Sequence, residues 1–148
     1  MPVVTPINTE RRQQYHELIA KLQNERQEVL SLYCNFSELK PFSDNVEVKI
    51  LLTRFSQVLV DYVSLGHFGV YERLLAGNER RTRMLTVAKE IYPEFSVTTD
   101  AAIAFNDKYD NVEKIEAFED LEQDLSALGE SLAKRIDLED RLCEVMKN

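Results

Sequence analysis

The chain has 148 residues, 44% hydrophobic and 30% charged, which suits one domain with a substantial buried core and excludes a disordered chain. Only four glycines and four prolines punctuate it, so helices are expected in preference to strands. The net charge of −8 is uneven: residues 1–90 hold 12 basic and 11 acidic side chains, and residues 91–148 hold 6 and 15. The acidic part would repel nucleic acid and attract a basic protein partner. Taken alone, it also reads as an ordinary solvated acidic helix face.

No apolar run approaches the roughly 18 residues that a membrane span requires. The start, Met1-Pro2-Val3-Val4-Thr5-Pro6, lacks a basic segment followed by an apolar one, so a cytoplasmic protein is expected. Cys34 and Cys143 stand far apart without CxxC spacing and read as two reduced thiols in helices.

The first helix is expected after a cap at Asn8-Thr9. Tyr15, Leu18, Ile19, Leu22, Val29, Leu30, Tyr33 and Phe36 form its apolar stripe. Glu25-Arg26 interrupts the stripe and either turns outward or makes a polar contact inside the fold. The run from Lys40-Pro41 to Asn45 makes a turn. A second helix runs from about Val46 to about Leu65, with Val48, Leu51, Leu52, Phe55, Val58, Leu59, Tyr62 and Val63 inward, and Gly66 reads as its stop. A short helix then carries Phe68, Val70, Tyr71, Leu74 and Leu75 towards Gly77-Asn78.

A third helix spans 79–91 and ends at Tyr92-Pro93. A weaker one covers 96–110, with Thr98, Thr99 or Asp100 as its cap. The last helix, from about Asn111 to Met146, is the clearest. Phe118, Leu121, Leu125, Leu128 and Leu132 recur in steps of three and four. The same steps continue through Arg135, Glu139, Leu142 and Met146. Two charged residues therefore fall on the line facing the core, where they need partners. One reading joins some of Asp61, Glu72, Arg73, Arg135 and Glu139 in an inter-helix network. The other rotates the helix so that Ile136 and Leu138 take over the buried face. The architecture expected is all-α: an antiparallel four-helix bundle with additional short helices, one domain over residues 1–148.

Few residues here suit a cofactor or catalysis. The residues three before His16 and His67 are Gln13 and Ser64, so the Glu-x-x-His pattern of di-iron bundles is missing. Two histidines and two scattered cysteines make no metal-ligand set. Ser64 and His67 are three apart, but no third group or oxyanion hole accompanies them. Gly-x-Ser-x-Gly, P-loop and Gly-x-Gly-x-x-Gly patterns are absent. No enzyme, cofactor or metal is expected, and His67 reads as a capping or hydrogen-bonding residue at the helix break. Arg80, Arg81 and Arg83 form the one dense basic cluster, which reads as a solvated helix start and not as a DNA contact.

The segment Leu59-Val60-Asp61-Tyr62-Val63-Ser64-Leu65-Gly66-His67-Phe68, followed by Val70-Tyr71-Glu72-Arg73-Leu74-Leu75, resembles the most recognisable stretch of the Rsd/AlgQ family, bacterial regulators of the primary sigma factor. Leu128 to Arg135 and Leu138 to Leu142 resemble the family's closing helix, and Leu32-Tyr33, Asn35 and Lys40-Pro41 fit its first helix and turn. The end at Asn148 leaves little room for the longer C-terminal tail of some members. The resemblance implies a compact helical bundle that binds region 4 of the primary sigma factor. That domain reads the −35 promoter element and contacts core RNA polymerase. Such an anti-sigma factor would act in the cytoplasm as growth slows into stationary phase, as a monomer in a one-to-one complex, with no direct nucleic-acid or membrane contact. The family's characteristic surface carries over as Asp61, Ser64, Leu65, His67, Phe68, Tyr71 and Glu72; of these, Phe68 and Tyr71, with Leu74, are equally readable as core. Arg73, Arg135 and Glu139 are assigned first to a structural polar network. A helical adaptor using the same acidic face for a stress or metabolic signalling protein is the alternative.

Overall fold

The computed structural model describes residues 6–71, 82–110 and 118–147. Four long helices account for most of them: α1 (Pro6–Ser37), α2 (Val46–Ser64), α3 (Thr82–Tyr109) and α4 (Glu119–Lys147). No strand occurs among the described residues. A π-helical segment, Leu65–Tyr71, continues directly from α2. Each helix packs on its neighbour in the chain, and α4 closes the ring against α1. Neighbours run antiparallel: Phe36 at the end of α1 meets Phe55, while Leu22 lies beside Gly66 beyond the end of α2.

The α4 seam faces inward along its length. Leu121, Leu125, Leu128, Leu132, Arg135, Glu139, Leu142 and Met146 are all buried, and Leu138 is buried beside them. The charges stay inside although Leu138 also packs inward. From α1 and α2 the core receives Tyr15, Ile19, Leu22, Val29 and Phe36, then Val48, Leu52, Phe55, Leu59, Tyr62 and Val63.

Several expected helix ends lie elsewhere. α1 begins at Pro6, before Asn8-Thr9, because proline suits a first helical turn, where its missing N–H has no intrahelical partner to lose. Asn45 caps α2 as a β-region residue whose side chain accepts from the Val48 N–H at 2.9 Å. Tyr92-Pro93 does not end a helix: Pro93 lies inside the continuous α3. An interior proline costs about 3 kcal/mol. Buried Ala88 and Ile91 before it, and Phe95, Thr98, Thr99 and Ala102 after it, hold both halves against the bundle. Thr98 and Thr99 are therefore interior residues rather than caps. The expected starts of the third helix at Glu79 and of the last at Asn111 lie outside the described residues.

Cys34 is exposed and Cys143 buried, and neither is in a disulfide. No helix is long and apolar enough to cross a membrane among the described residues.

The end of α3 is fastened to α4 through Asp124. Lys108 Nζ lies 2.6 Å from Asp124 Oδ2, and the Tyr109 hydroxyl donates to the same oxygen. Burial raises this carboxyl, but the two hydrogen bonds and the Lys108 charge outweigh it and hold the group below 3.8. A carboxyl lowered by folding favours the folded state above its ordinary value, and that contribution disappears as pH falls through the lowered one. Asp124→Asn should therefore be destabilised near neutrality, with its deficit against the parent shrinking as pH drops below about 4. Thermal melts across that range check this. A deficit independent of pH would mean that the ionised carboxylate is not what fastens the helices.

Candidate functional site

The regular α-helix ends at Leu65, whose N–H is shared between the Asp61 and Tyr62 carbonyls. Beyond it the chain widens into π-helical turns, which recur at functional sites. Gly66 does not stop the helix. An added Cβ there would stand 2.8 Å from Arg135 Nη2, so its missing side chain is the space in which the guanidinium lies against the backbone.

Arg135, completely buried, ties three helices together. Its Nε donates to Glu139 Oε2 at 3.1 Å and its Nη1 to Thr98 Oγ1 at 3.1 Å and Thr99 Oγ1 at 2.8 Å. Nη2 donates to the Val63 carbonyl at 3.2 Å, at the joint where the helical register changes. Four of the five guanidinium N–H groups are thereby used. The cation also lies 4.1 Å from the centre of the Phe95 ring. Glu139 accepts from the Tyr62 hydroxyl and lies 3.7 Å from Arg26, which itself bonds Asp140 at 2.8 Å. Burial pushes the Glu139 carboxyl up, against the pull of Arg135, the Tyr62 hydrogen bond and Arg26. Burial and Glu139 together push the Tyr62 phenol well above its usual range, so Tyr62 remains a donor.

Arg135 and Glu139 thus meet, but Asp61 is exposed and the remaining partners are Tyr62, Thr98, Thr99, the Val63 carbonyl and Arg26. Glu72 and Arg73 lie outside the described residues, as does Leu74. Arg26 makes the polar contact within the bundle that its interruption of the α1 stripe allowed.

Outside this network sits an aromatic layer. His67, only 9% exposed, places Nδ1 3.2 Å from Thr99 Oγ1 and stacks on Phe95 with 14° between planes. Tyr71 stacks on Phe95 from 5.1 Å and is fully buried, so it supports the surface instead of forming it. Its hydroxyl has no hydrogen-bond partner among the described residues, and burial, with Tyr92 nearby, pushes the phenol up to about 12. Because an unmatched buried hydroxyl costs about 1–3 kcal/mol, Tyr71→Phe should leave stability unchanged or raise it by about 1 kcal/mol. A urea titration that finds a loss above about 1 kcal/mol would reveal a polar partner for this hydroxyl.

The outer face is formed by exposed Asp61, half-buried Ser64 and Leu65, and Phe68, which is 58% exposed. Tyr92 of α3, 41% exposed, lies 6.1 Å from the His67 ring, and Phe68 lies 5.0 Å from the same ring. Tyr92 escapes sequence reasoning because its neighbour Pro93 marks it as a helix end. Acidic residues are exposed along α4, among them Glu122, Glu130, Asp137 and Glu144.

The face therefore offers large aromatic side chains on a rigid polar base, an arrangement suited to binding a protein. Residues 5–147 match the family described as regulator of RNA polymerase sigma(70) subunit, Rsd/AlgQ. The chain is 32% identical over 133 residues to a regulator of sigma D from Yersinia enterocolitica, covering 87% of this chain and 80% of that one. It is 35% identical over 135 residues to the regulator of sigma D from Yersinia pseudotuberculosis, covering 87% and 79%. Against the regulator of sigma D from Enterobacter sp. the identity is 32% over 137 residues, covering 90% and 82%. No solved structure gives a significant match. With its family match spanning nearly the whole sequence, the chain belongs to the Rsd/AlgQ family of regulators of the RNA polymerase sigma(70) subunit.

Proposed function

We propose that this protein is an anti-sigma factor that binds region 4 of the primary sigma factor one-to-one. It thereby keeps region 4 from core RNA polymerase and from the −35 element as cells enter stationary phase. Family membership over residues 5–147 carries this reading, and regulators of this family are not enzymes. The chemistry of the chain supports it. A DNA-reading domain presents basic groups, and a chain of net charge −8 attracts and orients such a partner. Asp61, Ser64, Leu65 and Phe68 provide the outer face, with His67 at its edge and Tyr92 as a further aromatic anchor; Glu72 belongs to the same proposed surface. The action takes place in the cytoplasm, where the polymerase works.

Titration of isolated region 4 into the intact protein tests the reading. Binding should be one-to-one and weaken as salt rises. Phe68→Ala, which removes an exposed ring and leaves the core untouched, should weaken binding about tenfold to a hundredfold with unchanged thermal stability. Absence of binding by the parent at low ionic strength sinks the assignment; full binding by Phe68→Ala moves the interface off this face.

A further inference from the structure

Thr99 Oγ1 has three polar neighbours: Arg135 Nη1 at 2.8 Å, His67 Nδ1 at 3.2 Å and the Phe95 carbonyl at 3.3 Å. A hydroxyl has one proton to give and two lone pairs to offer. Arg135 occupies one lone pair, because a guanidinium only donates and keeps its charge. The Phe95 carbonyl lies inside α3, where one of its lone pairs serves the helical N–H four residues on. Its other lone pair takes the Thr98 hydroxyl at 2.7 Å. A second hydroxyl at 3.3 Å would be a surplus donor on a filled acceptor. The Thr99 proton is therefore directed at His67 Nδ1, and a neutral imidazole that accepts at Nδ1 carries its own proton on Nε2. The opposite arrangement, Nδ1–H donating to Thr99, would force the Thr99 proton onto that filled carbonyl.

We propose that Thr99 is a positioning residue: its hydroxyl, anchored by the buried Arg135, fixes His67 as the Nε2–H tautomer, so that the face beside Phe68 meets its partner with an imidazole N–H donor and selects a carbonyl or carboxylate acceptor. The buried network and the outer face are then one device. Arg135 orients Thr99, Thr99 sets the proton on His67, and the Phe95 ring fixes the plane of the imidazole between them. Only the clause about the partner rests on the proposed function. The tautomer is a property of the free protein.

Two measurements keep these parts separate. Long-range proton–nitrogen NMR of the labelled intact protein, with His16→Gln removing the other histidine, reads the His67 tautomer directly. The expected spectrum has a protonated Nε2 and an unprotonated Nδ1 in slow tautomeric exchange. A protonated Nδ1, or an averaged pair of nitrogens, overturns the assignment. Thr99→Val should then give the averaged pair, and Thr99→Ser should restore the parent pattern, a rescue that a purely space-filling role of Thr99 does not predict. Against isolated region 4, Thr99→Val should bind about tenfold more weakly and Thr99→Ser as the parent does. If Thr99→Val shifts the tautomer and still binds as the parent does, the selection of an acceptor is wrong. A parent with the expected tautomer that ignores region 4 refutes the partner and leaves the tautomer standing.

Discussion

Arg135→Met is expected to lower the free energy of unfolding by about 3–5 kcal/mol, the cost of removing one member of a buried ion pair. Methionine fills much of the same volume, so the loss is polar and not a cavity. It strands the Glu139 carboxylate with Tyr62 and a distant Arg26, and it takes their donor from Thr98, Thr99 and the Val63 carbonyl. It also strips the cation from Phe95. Against a total stability of about 5–15 kcal/mol for a domain of this kind, the variant should be partly unfolded at 37 °C. Removing both charges, as Arg135→Met with Glu139→Leu, should recover part of the loss, since no lone charge is then buried. Urea denaturation of the single and double variants decides the matter. A single-variant loss below about 1 kcal/mol would mean that water reaches Glu139 and the network is not a structural tie.

Some of this was legible in residue spacing and some was not. The steps of three and four along α4 pass through Arg135 and Glu139 without a break in phase. Periodicity therefore offered a buried place for two charges beside a rotated helix with Ile136 and Leu138 inward, and the burial of Arg135 and Glu139 decides between them. Their partners were hidden for a physical reason: a side chain with two chemistries shows only one of them in a pattern. Tyr62 falls in the apolar stripe of α2, yet its hydroxyl reaches Glu139. Thr98 and Thr99 have the composition of a cap, yet inside a helix the Thr98 hydroxyl bonds back to the Phe95 carbonyl and both hydroxyls receive Arg135. Pro93 misleads for a different reason. Local rules count the lost hydrogen bond but not the buried residues on both sides that outweigh it. At the candidate face, spacing and resemblance marked Phe68 and Tyr71 alike, and only packing separates the exposed ring from the buried one. Gly129 carries a similar lesson, for a Cβ there would fall 2.2 Å from the Tyr33 hydroxyl, which bonds the Leu125 carbonyl.

Gly66→Ala provides the second large effect, with a sign opposite to helix propensity. In an unremarkable helical position, replacing glycine by alanine gains about 0.5–1 kcal/mol. Here the new methyl would lie 2.8 Å from Arg135 Nη2, 3.4 Å from Glu139 Oε2 and 3.5 Å from Leu22. A long side chain can usually swing away from such a contact. This guanidinium cannot, because it is held by Glu139, Thr98, Thr99 and the Val63 carbonyl at once. Relief requires either breaking one of those bonds or moving the π-helical segment outward, so a loss of about 1–3 kcal/mol is expected. Gly69→Ala is the internal comparison. Its nearest neighbour is the half-buried Leu65 side chain at 3.0 Å, which can rotate, so its effect should stay within about 1 kcal/mol of the parent. The cause is isolated by repeating Gly66→Ala in the Arg135→Met background, kept folded with a protecting osmolyte. With the guanidinium gone, most of the penalty should vanish, giving a coupling of about 1–3 kcal/mol between the two positions. Additive losses would place the clash elsewhere and remove Gly66 from the set of residues that seat Arg135 against the helix joint.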